Sequence, residues 1–290
     1  MARQTLREIL RISEEYLGGK GVDSPRLSAQ VLAAFALGMD RMRLFLDLDR
    51  PLMDDELDLI RPLIARRAKG EPVAMIVGEK EFFCRPFAVC RETLVPRPET
   101  ELLVEIVLER FGREAAFRFA DLGAGSGVLA VTVAAEFQGA TGLAVDVSPG
   151  ALDAARANAA RHGVDSRIEF VLADFVDALA LSGGYDVILA NPPYVSEAEY
   201  GCLSREVRDF EPKGALVPGA SGLEAYRAIA PAAFAALLPG GFLVAEIGCS
   251  QAEAVSGIFF EAGFCDITVR KDLAGHPRAV AAAKPVSAAA

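Results

Sequence analysis

The sequence predicts an α/β fold: a Rossmann-like, doubly wound and mostly parallel sheet preceded by a small all-helical domain. Three observations carry this expectation. From Phe117 onward, apolar strand-like runs alternate with helical ones. A glycine-rich turn, Asp121-Leu122-Gly123-Ala124-Gly125-Ser126-Gly127, ends the first of these runs and leads directly into an apolar helical stretch from Val128 to Phe137. Residues 1–70 show helical spacing only.

Leu6, Ile9, Leu10, Ser13 and Leu17 share one helical face, and Ser24 followed by Pro25 reads as an N-cap with proline at the first helical position, opening a second helix through Leu37. Asp54, Asp55 and Glu56 start another apolar pattern, in which Pro62 calls for a kink or a later start. Three or four helices are expected in 1–70, forming either a plain cap or a substrate-docking domain. Residues 71–98, with Val73 to Phe83, Phe87 to Val89 and Thr93 to Val95 broken by Gly and Pro, read as a hairpin linker. Pro98, Glu99 and Glu101 open a helix through Glu109, and 99–290 form the second domain.

Within that domain, strands are expected at Arg118–Asp121, Thr141–Asp146, Ile168–Leu172, Tyr185–Ala190 and Gly241–Ile247. The runs Phe264–Arg270 and Ala279–Ala283 leave no room for a helix between them and should pair as an antiparallel edge. The tail beyond Lys284 should fray.

Composition narrows the function classes. A chain that is 52% hydrophobic and 24% charged can fill a sizeable core, so disorder is not expected away from the ends. No apolar run reaches the ~18 residues of a bilayer span, and Met1 to Glu8 has no signal-like stretch, so a cytoplasmic protein with no membrane partner is expected. Five scattered cysteines without a C-x-x-C pair, and only two histidines, indicate no metal site and no disulfide framework. A net charge of -10 and a pI near 4.9 argue against a stable nucleic-acid complex and favour a basic partner.

The glycine turn has G-x-G-x-G spacing, since Val128 stands where a dinucleotide fingerprint requires its last glycine. That favours a nucleoside without pyrophosphate, against the plain alternative of a tight turn. Asp146 at the second strand end can accept from both ribose hydroxyls. Asp174 and Phe175 at the third can hold an adenine, although strand-end acids also cap helices. Asp146 alone would suit NAD equally. After the fourth strand comes Asn191-Pro192-Pro193-Tyr194. The Asn191 side-chain oxygen and the Pro192 carbonyl can each accept one N–H of an incoming NH2 group, the prolines stiffen the loop, and Tyr194 offers an aromatic wall.

With these segments in place, the sequence resembles the HemK/PrmC family of protein glutamine N5-methyltransferases. The likeness runs through Gly70 to Val73, Gly78 to Phe83, Leu94 to Glu101, Asp121 to Gly127, Asn191 to Tyr194, Phe210 to Pro212 and Gly275 to Arg278. The resemblance implies a class I methyltransferase sheet and S-adenosylmethionine as cofactor, with S-adenosylhomocysteine as product. It places the cofactor against Gly123, Ala124, Gly125, Ser126, Gly127, Asp146, Phe175 and Asn191, to which the strand-end reading adds Asp174, with Asn191, Pro192, Pro193 and Tyr194 holding the substrate and carrying catalysis. It further implies peptide chain release factors as protein substrate, methylated on the glutamine of a Gly-Gly-Gln motif, and docking of that factor by the helical domain; separately, a monomer is expected. Phe175 stands where some relatives carry tryptophan, and Ala124 where threonine is common. The rival readings are a glutamine methyltransferase of a ribosomal protein, an adenine N6-methyltransferase of nucleic acid, and a noncatalytic binding module. Direct displacement is expected to need positioning rather than a strong base, which makes Glu246 and Asp121 poor candidates for proton acceptors.

Overall fold

The computed structural model describes residues 4–286. The chain divides into two compact units, one running to Glu79 and including Ser204–Phe210, the other comprising Lys80–Leu203 and the chain from Glu211 onward. The division falls between Glu79 and Lys80, so most of the hairpin belongs to the second unit.

The first unit is built from helices α1 (Leu6–Gly18), α2 (Pro25–Ala36), α3 (Arg41–Leu46), α4 (Asp54–Ala68) and α5 (Val73–Val77). A capping box opens α1: the Thr5 hydroxyl accepts from the Glu8 N–H while the Glu8 carboxylate accepts from the Thr5 N–H at 2.9 Å. Leu6, Ile9 and Leu17 then meet Leu32, Leu57, Ile60 and Ile64 in one core. Two expectations need correction, and a third is narrowed. Ser24 sits in the left-handed region at φ 51, and its side chain makes no cap. Of the two alternatives at Pro62, the later start is excluded, because helix α4 continues through it. Asp58 and Pro62 are both exposed, so water can serve the carbonyl that loses its partner, while Leu57, Ile60 and Ile64 keep one buried face on either side of the proline. Val73–Val77 is a helix, not a strand: Pro72 and Gly78, the latter at φ 81, bracket a short helix that buries Ile76 against the helical core, and packing overrides the β preference of valine and isoleucine. Ser204–Phe210 joins this unit through Arg67. That nearly buried guanidinium meets Glu206 at 2.7 Å, the Glu71 carbonyl at 3.0 Å and the Ser28 hydroxyl at 3.4 Å.

In the second unit, β1 (Glu79–Phe82) and β2 (Arg85–Ala88) form a two-stranded sheet joined by Phe83 and Cys84, both at positive φ, and residues 89–97 add no strand. The hairpin is therefore shorter than the segment 71–98 expected from sequence. A 3-10 turn at Pro98–Thr100 leads into α6 (Glu101–Arg110). There follow β3 (Arg118–Leu122), α7 (Val128–Glu136), β4 (Thr141–Asp146), α8 (Pro149–Arg161), β5 (Ile168–Leu172), α9 (Phe175–Leu181) and β6 (Tyr185–Ala190). Helix α10 (Glu197–Tyr200) follows, then α11 (Arg205–Phe210), which belongs to the first unit, and the second unit resumes with α12 (Glu224–Ala236), β7 (Leu237–Glu246), α13 (Ala252–Glu261), β8 (Cys265–Lys271) and β9 (Pro277–Ala283).

The sheet order is β5-β4-β3-β6-β7-β9-β8, with the first five strands parallel and β9 antiparallel to both β7 and β8. The last two strands do pair, and β9 inserts beside β7. Alternate residues feed the two faces: Val187 and Leu189 pack with Phe119, Val131 and Phe137, while Ile188 and Ala190 pack with Leu122, Tyr226 and Ile229. After β3 the chain builds outward through β4 and β5, then returns to place β6 on the other flank of β3. A crevice opens at the carboxyl ends of neighbouring strands at such a reversal, and here the glycine turn and Asn191 both lie at that point. The expected fraying beyond Lys284 falls, for 287–290, outside the described residues. No helix among the described residues is long and apolar enough to cross a membrane.

Candidate active site

A cavity of about 540 Å³ sits at these strand ends. Among the residues singled out from sequence, Gly123, Ala124, Gly125, Ser126, Asp146, Asp174, Phe175, Asn191 and Pro193 line it, whereas Gly127, Pro192 and Tyr194 do not.

The glycine turn is tied to the neighbouring strand rather than to a helix end. The Gly123 and Ala124 N–H groups both donate to the Val145 carbonyl, at 2.9 and 2.8 Å, and Gly125 N–H donates to the Asp146 carboxylate at 2.8 Å. The second Asp146 oxygen accepts from Ser148 N–H at 2.8 Å. Each carboxylate oxygen thus spends one lone pair on the backbone and keeps capacity for a ligand hydroxyl. Gly127 has a different task from the one expected. At φ 80 it caps α7, and a Cβ there would stand 3.0 Å from the Ala155 Cβ, so its small size serves the packing of α7 on α8. Phe175 lies with its ring edge over Gly123, where an added Cβ would stand 3.4 Å away. Asp174 caps α9 through the Val176 N–H at 3.0 Å while also facing the cavity.

Asn191 follows directly from strand register. Leu189 pairs with Val244 and Ala190 with Ala245, which sets Asn191 beside Glu246 at the ends of β6 and β7. The Asn191 side-chain NH2 donates to the Thr100 hydroxyl at 3.2 Å. Its oxygen accepts from no protein donor among the described residues. Tyr194 departs from the expected aromatic wall: it packs on the core under β6 and β7, and its hydroxyl donates to Glu246 at 3.2 Å. Burial, followed by the nearby Glu246 charge, holds its phenol far above the ordinary range. The Tyr194 carbonyl accepts from the Gln251 side-chain NH2 at 2.9 Å, and Gly248 N–H donates to the other end of that amide at 2.9 Å, which braces the loop.

Several residues that matter here carried no signal alone. Thr100, 2% exposed, and Glu246, 1% exposed, meet at 2.6 Å although they lie 146 positions apart. Asn158, in the middle of α8, is fully buried and bridges hairpin to glycine turn: its oxygen accepts from Ala88 N–H at 2.8 Å, and its NH2 donates to the Ala88 and Ser126 carbonyls at 3.0 and 2.8 Å. His162 Nε2 lies 2.8 Å from the Pro86 carbonyl, a second tie from α8 to the hairpin. Two carboxyls near the cavity are pushed up to about 7, chiefly by burial: Asp121, with the Asp146 charge adding, and Glu246, where the hydrogen bonds from Thr100 and Tyr194 oppose the rise.

A profile of the PrmC N-terminal domain matches residues 8–78, and one of the methyltransferase small domain matches residues 98–207. A release factor glutamine methyltransferase of Nitratidesulfovibrio vulgaris is 49% identical over 276 residues, covering 94% of this chain and 93% of its own length. The chain belongs to the release factor glutamine methyltransferase family. The family member from Geobacter sulfurreducens is 42% identical over 276 residues, with 95% of each chain covered. Among solved structures, the hMettl16 catalytic domain superposes with a TM-score of 0.55 at 16% identity, covering 81% of this chain and 82% of that one. A methyltransferase from Pyrococcus furiosus gives 0.51 at 18% identity, covering 77% and 98%. At such identities these two speak for the fold, a class I methyltransferase sheet.

Proposed function

We propose that this family member transfers a methyl group from S-adenosylmethionine to the side-chain amide nitrogen of the glutamine in the Gly-Gly-Gln motif of peptide chain release factors. The observation that carries this reading is the Asn191 amide, whose oxygen is left without a protein donor on the wall of a cavity that the glycine turn also lines.

The residues present fit the methyl donor. Gly123 to Ser126 let a ligand approach the backbone, Asp146 keeps lone pairs for a ribose diol, and the Phe175 ring offers an apolar face for adenine, with Asp174 beside it. When bound, the donor supplies an electrophilic methyl carbon on a sulfonium centre. The substrate amide is the weaker partner, because its lone pair is delocalised into its carbonyl. Asn191 Oδ1 and the Pro192 carbonyl would each accept one N–H, holding the nitrogen in place and disfavouring planarity as the new N–C bond forms. Pro193 keeps the loop stiff, and Tyr194 supports it from the core side. Glu246 does not line the cavity and is engaged by Thr100 and Tyr194, which argues against a role as general base. The proton lost from the alkylated nitrogen goes to solvent. The helical unit supplies the docking surface for the release factor, and the enzyme acts as a monomer.

The test offers purified release factor, ribosomal protein and DNA separately, with isotopically labelled methyl donor, and maps any label by mass spectrometry. A single methyl group on the release-factor glutamine is expected. Label on adenine, or on a ribosomal-protein glutamine alone, would replace this reading with the corresponding rival.

A further inference from the structure

We propose that Thr100 and Glu246 are positioning residues that fix which end of the Asn191 amide faces the cavity. The proposal rests on the reading that Asn191 receives the substrate NH2.

An asparagine side chain presents an acceptor at one end and a two-hydrogen donor at the other, and the two ends are nearly identical in shape. Nothing in the outline of a pocket tells them apart. For a substrate NH2, the difference decides everything: the oxygen receives it, while the amide nitrogen would meet it donor to donor. Discrimination must come from the protein partner that the amide meets, and at Thr100, which lines the same cavity, the structure provides a two-step chain. The Thr100 hydroxyl donates to Glu246 Oε2 at 2.6 Å, and the Asn191 NH2 donates to the same hydroxyl at 3.2 Å. A hydroxyl has one hydrogen. With that hydrogen given to an ionised carboxylate, Thr100 can only accept, so Asn191 must turn its NH2 to Thr100, which leaves its oxygen for the substrate.

The other ligands of Glu246 keep the chain directional. Tyr194 OH donates to Oε1 at 3.2 Å, and the Tyr226 hydroxyl donates to the Glu246 backbone carbonyl at 2.7 Å rather than competing for the carboxylate. The charged groups bearing on Glu246 are Glu99, which opposes its ionisation, and Arg278, which favours it and is itself paired with Asp272 at 3.0 Å. Burial raises this carboxyl to about 7. Once protonated, it can donate to Thr100, which frees the Thr100 hydrogen for Asn191 Oδ1 and turns the NH2 towards the cavity. Turnover should therefore decline as pH falls through that value, even though no group of the chain acts as a base.

The experiment uses the full-length protein in three variants. Thr100→Val keeps shape and removes the hydroxyl, Thr100→Ser keeps the hydroxyl, and Glu246→Gln removes the charge. Steady-state kcat and KM on a release factor, calorimetric donor affinity, and the NMR signals of the Asn191 side-chain NH2 are measured together. Thr100→Val should lower kcat about 10- to 100-fold, the scale of a misplaced catalytic contact, with donor affinity retained. It should also shift the Asn191 NH2 signals, and Thr100→Ser should restore both. Glu246→Gln should lower kcat and abolish the decline near pH 7. The proposal is overturned if the Asn191 signals stay in place in Thr100→Val, or if Ser fails to rescue a loss that Val causes. Shifted signals with undiminished kcat would instead contradict the acceptor role of Asn191, on which the proposal rests, so the two failures are told apart.

Discussion

Replacing Asn158 with alanine should damage stability and donor binding together. The side chain makes three hydrogen bonds of 2.8, 3.0 and 2.8 Å to backbone groups of Ala88 and Ser126, and it is fully buried. Truncation leaves one N–H and two carbonyls without these partners, at ~1–3 kcal/mol for each buried group. Relaxation and water entry on the hairpin side, where Ala88 is only half-buried, recover part of this. The net loss is set at about 3–5 kcal/mol, which for a unit of this size corresponds to roughly 6–20 °C in Tm. Because Ser126 lies in the glycine turn, the variant should also bind the donor more weakly. Urea denaturation followed by circular dichroism measures the first effect and calorimetric titration the second. Asn158→Asp serves as a diagnostic control: it keeps an acceptor for Ala88 N–H but sets a carboxylate against two carbonyls, so it should be at least as damaging as alanine. An alanine variant within about 1 kcal/mol of the parent, well under the loss expected from the lost bonds, would refute the clamp.

Gly127→Ala should cost about 2–4 kcal/mol by denaturation, since it combines a left-handed alanine with contacts 3.0 Å from the Ala155 Cβ and 3.1 Å from the Ala155 Cα, and a loss under about 1 kcal/mol would contradict the close packing of α7 on α8. Phe175→Ala should weaken donor binding about tenfold in calorimetry if the ring stacks on adenine, and an unchanged affinity would remove the ring from the site. Stability should depend on Glu246 with a definite sign. Its carboxyl is raised from 4.5 to about 7 in the fold, so its contribution is complete below pH 4.5 and is lost as pH rises through about 7. Glu246→Gln should lose less stability than the parent across that window. A residual slope should remain from Asp121, which burial also pushes up to about 7, and equal slopes in parent and variant would contradict the raised Glu246 carboxyl.

What sequence could and could not reveal follows from the range of the interactions involved. The parallel strands were readable because continuous apolar runs such as Tyr185–Ala190 are buried on both faces, a local property of the chain. The site segments were readable for the same reason, since the glycine turn and Asn191 each follow a strand end. Pro62 and Val73–Val77 mislead because local propensity points one way there and the helical core, reached through Ile64 and Ile76, decides the other. Gly127 looks like its neighbours in the turn, yet its constraint comes from Ala155, 28 positions later in the chain and visible only once α8 is packed. Tyr194 reads as a ligand-facing ring because it follows the prolines, but the pairing of β6 with β7 brings it to Glu246. Asn158 stands in no motif, and although Thr100 falls in the Leu94 to Glu101 segment and Glu246 in an expected strand, their pairing is not visible in one dimension, because the fold alone brings the partners near.

The most direct test concerns Asn191 itself. Asn191→Ala and Asn191→Asp are compared with the parent by single-turnover methylation of a release factor and by donor titration. With the amide oxygen as substrate acceptor, alanine should slow the chemical step about 10²- to 10³-fold while donor binding persists. The aspartate variant, which still offers an acceptor but cannot donate to Thr100, should retain more activity than the alanine variant. Parental rates in the alanine variant would show that the NH2 group is held by something other than this loop.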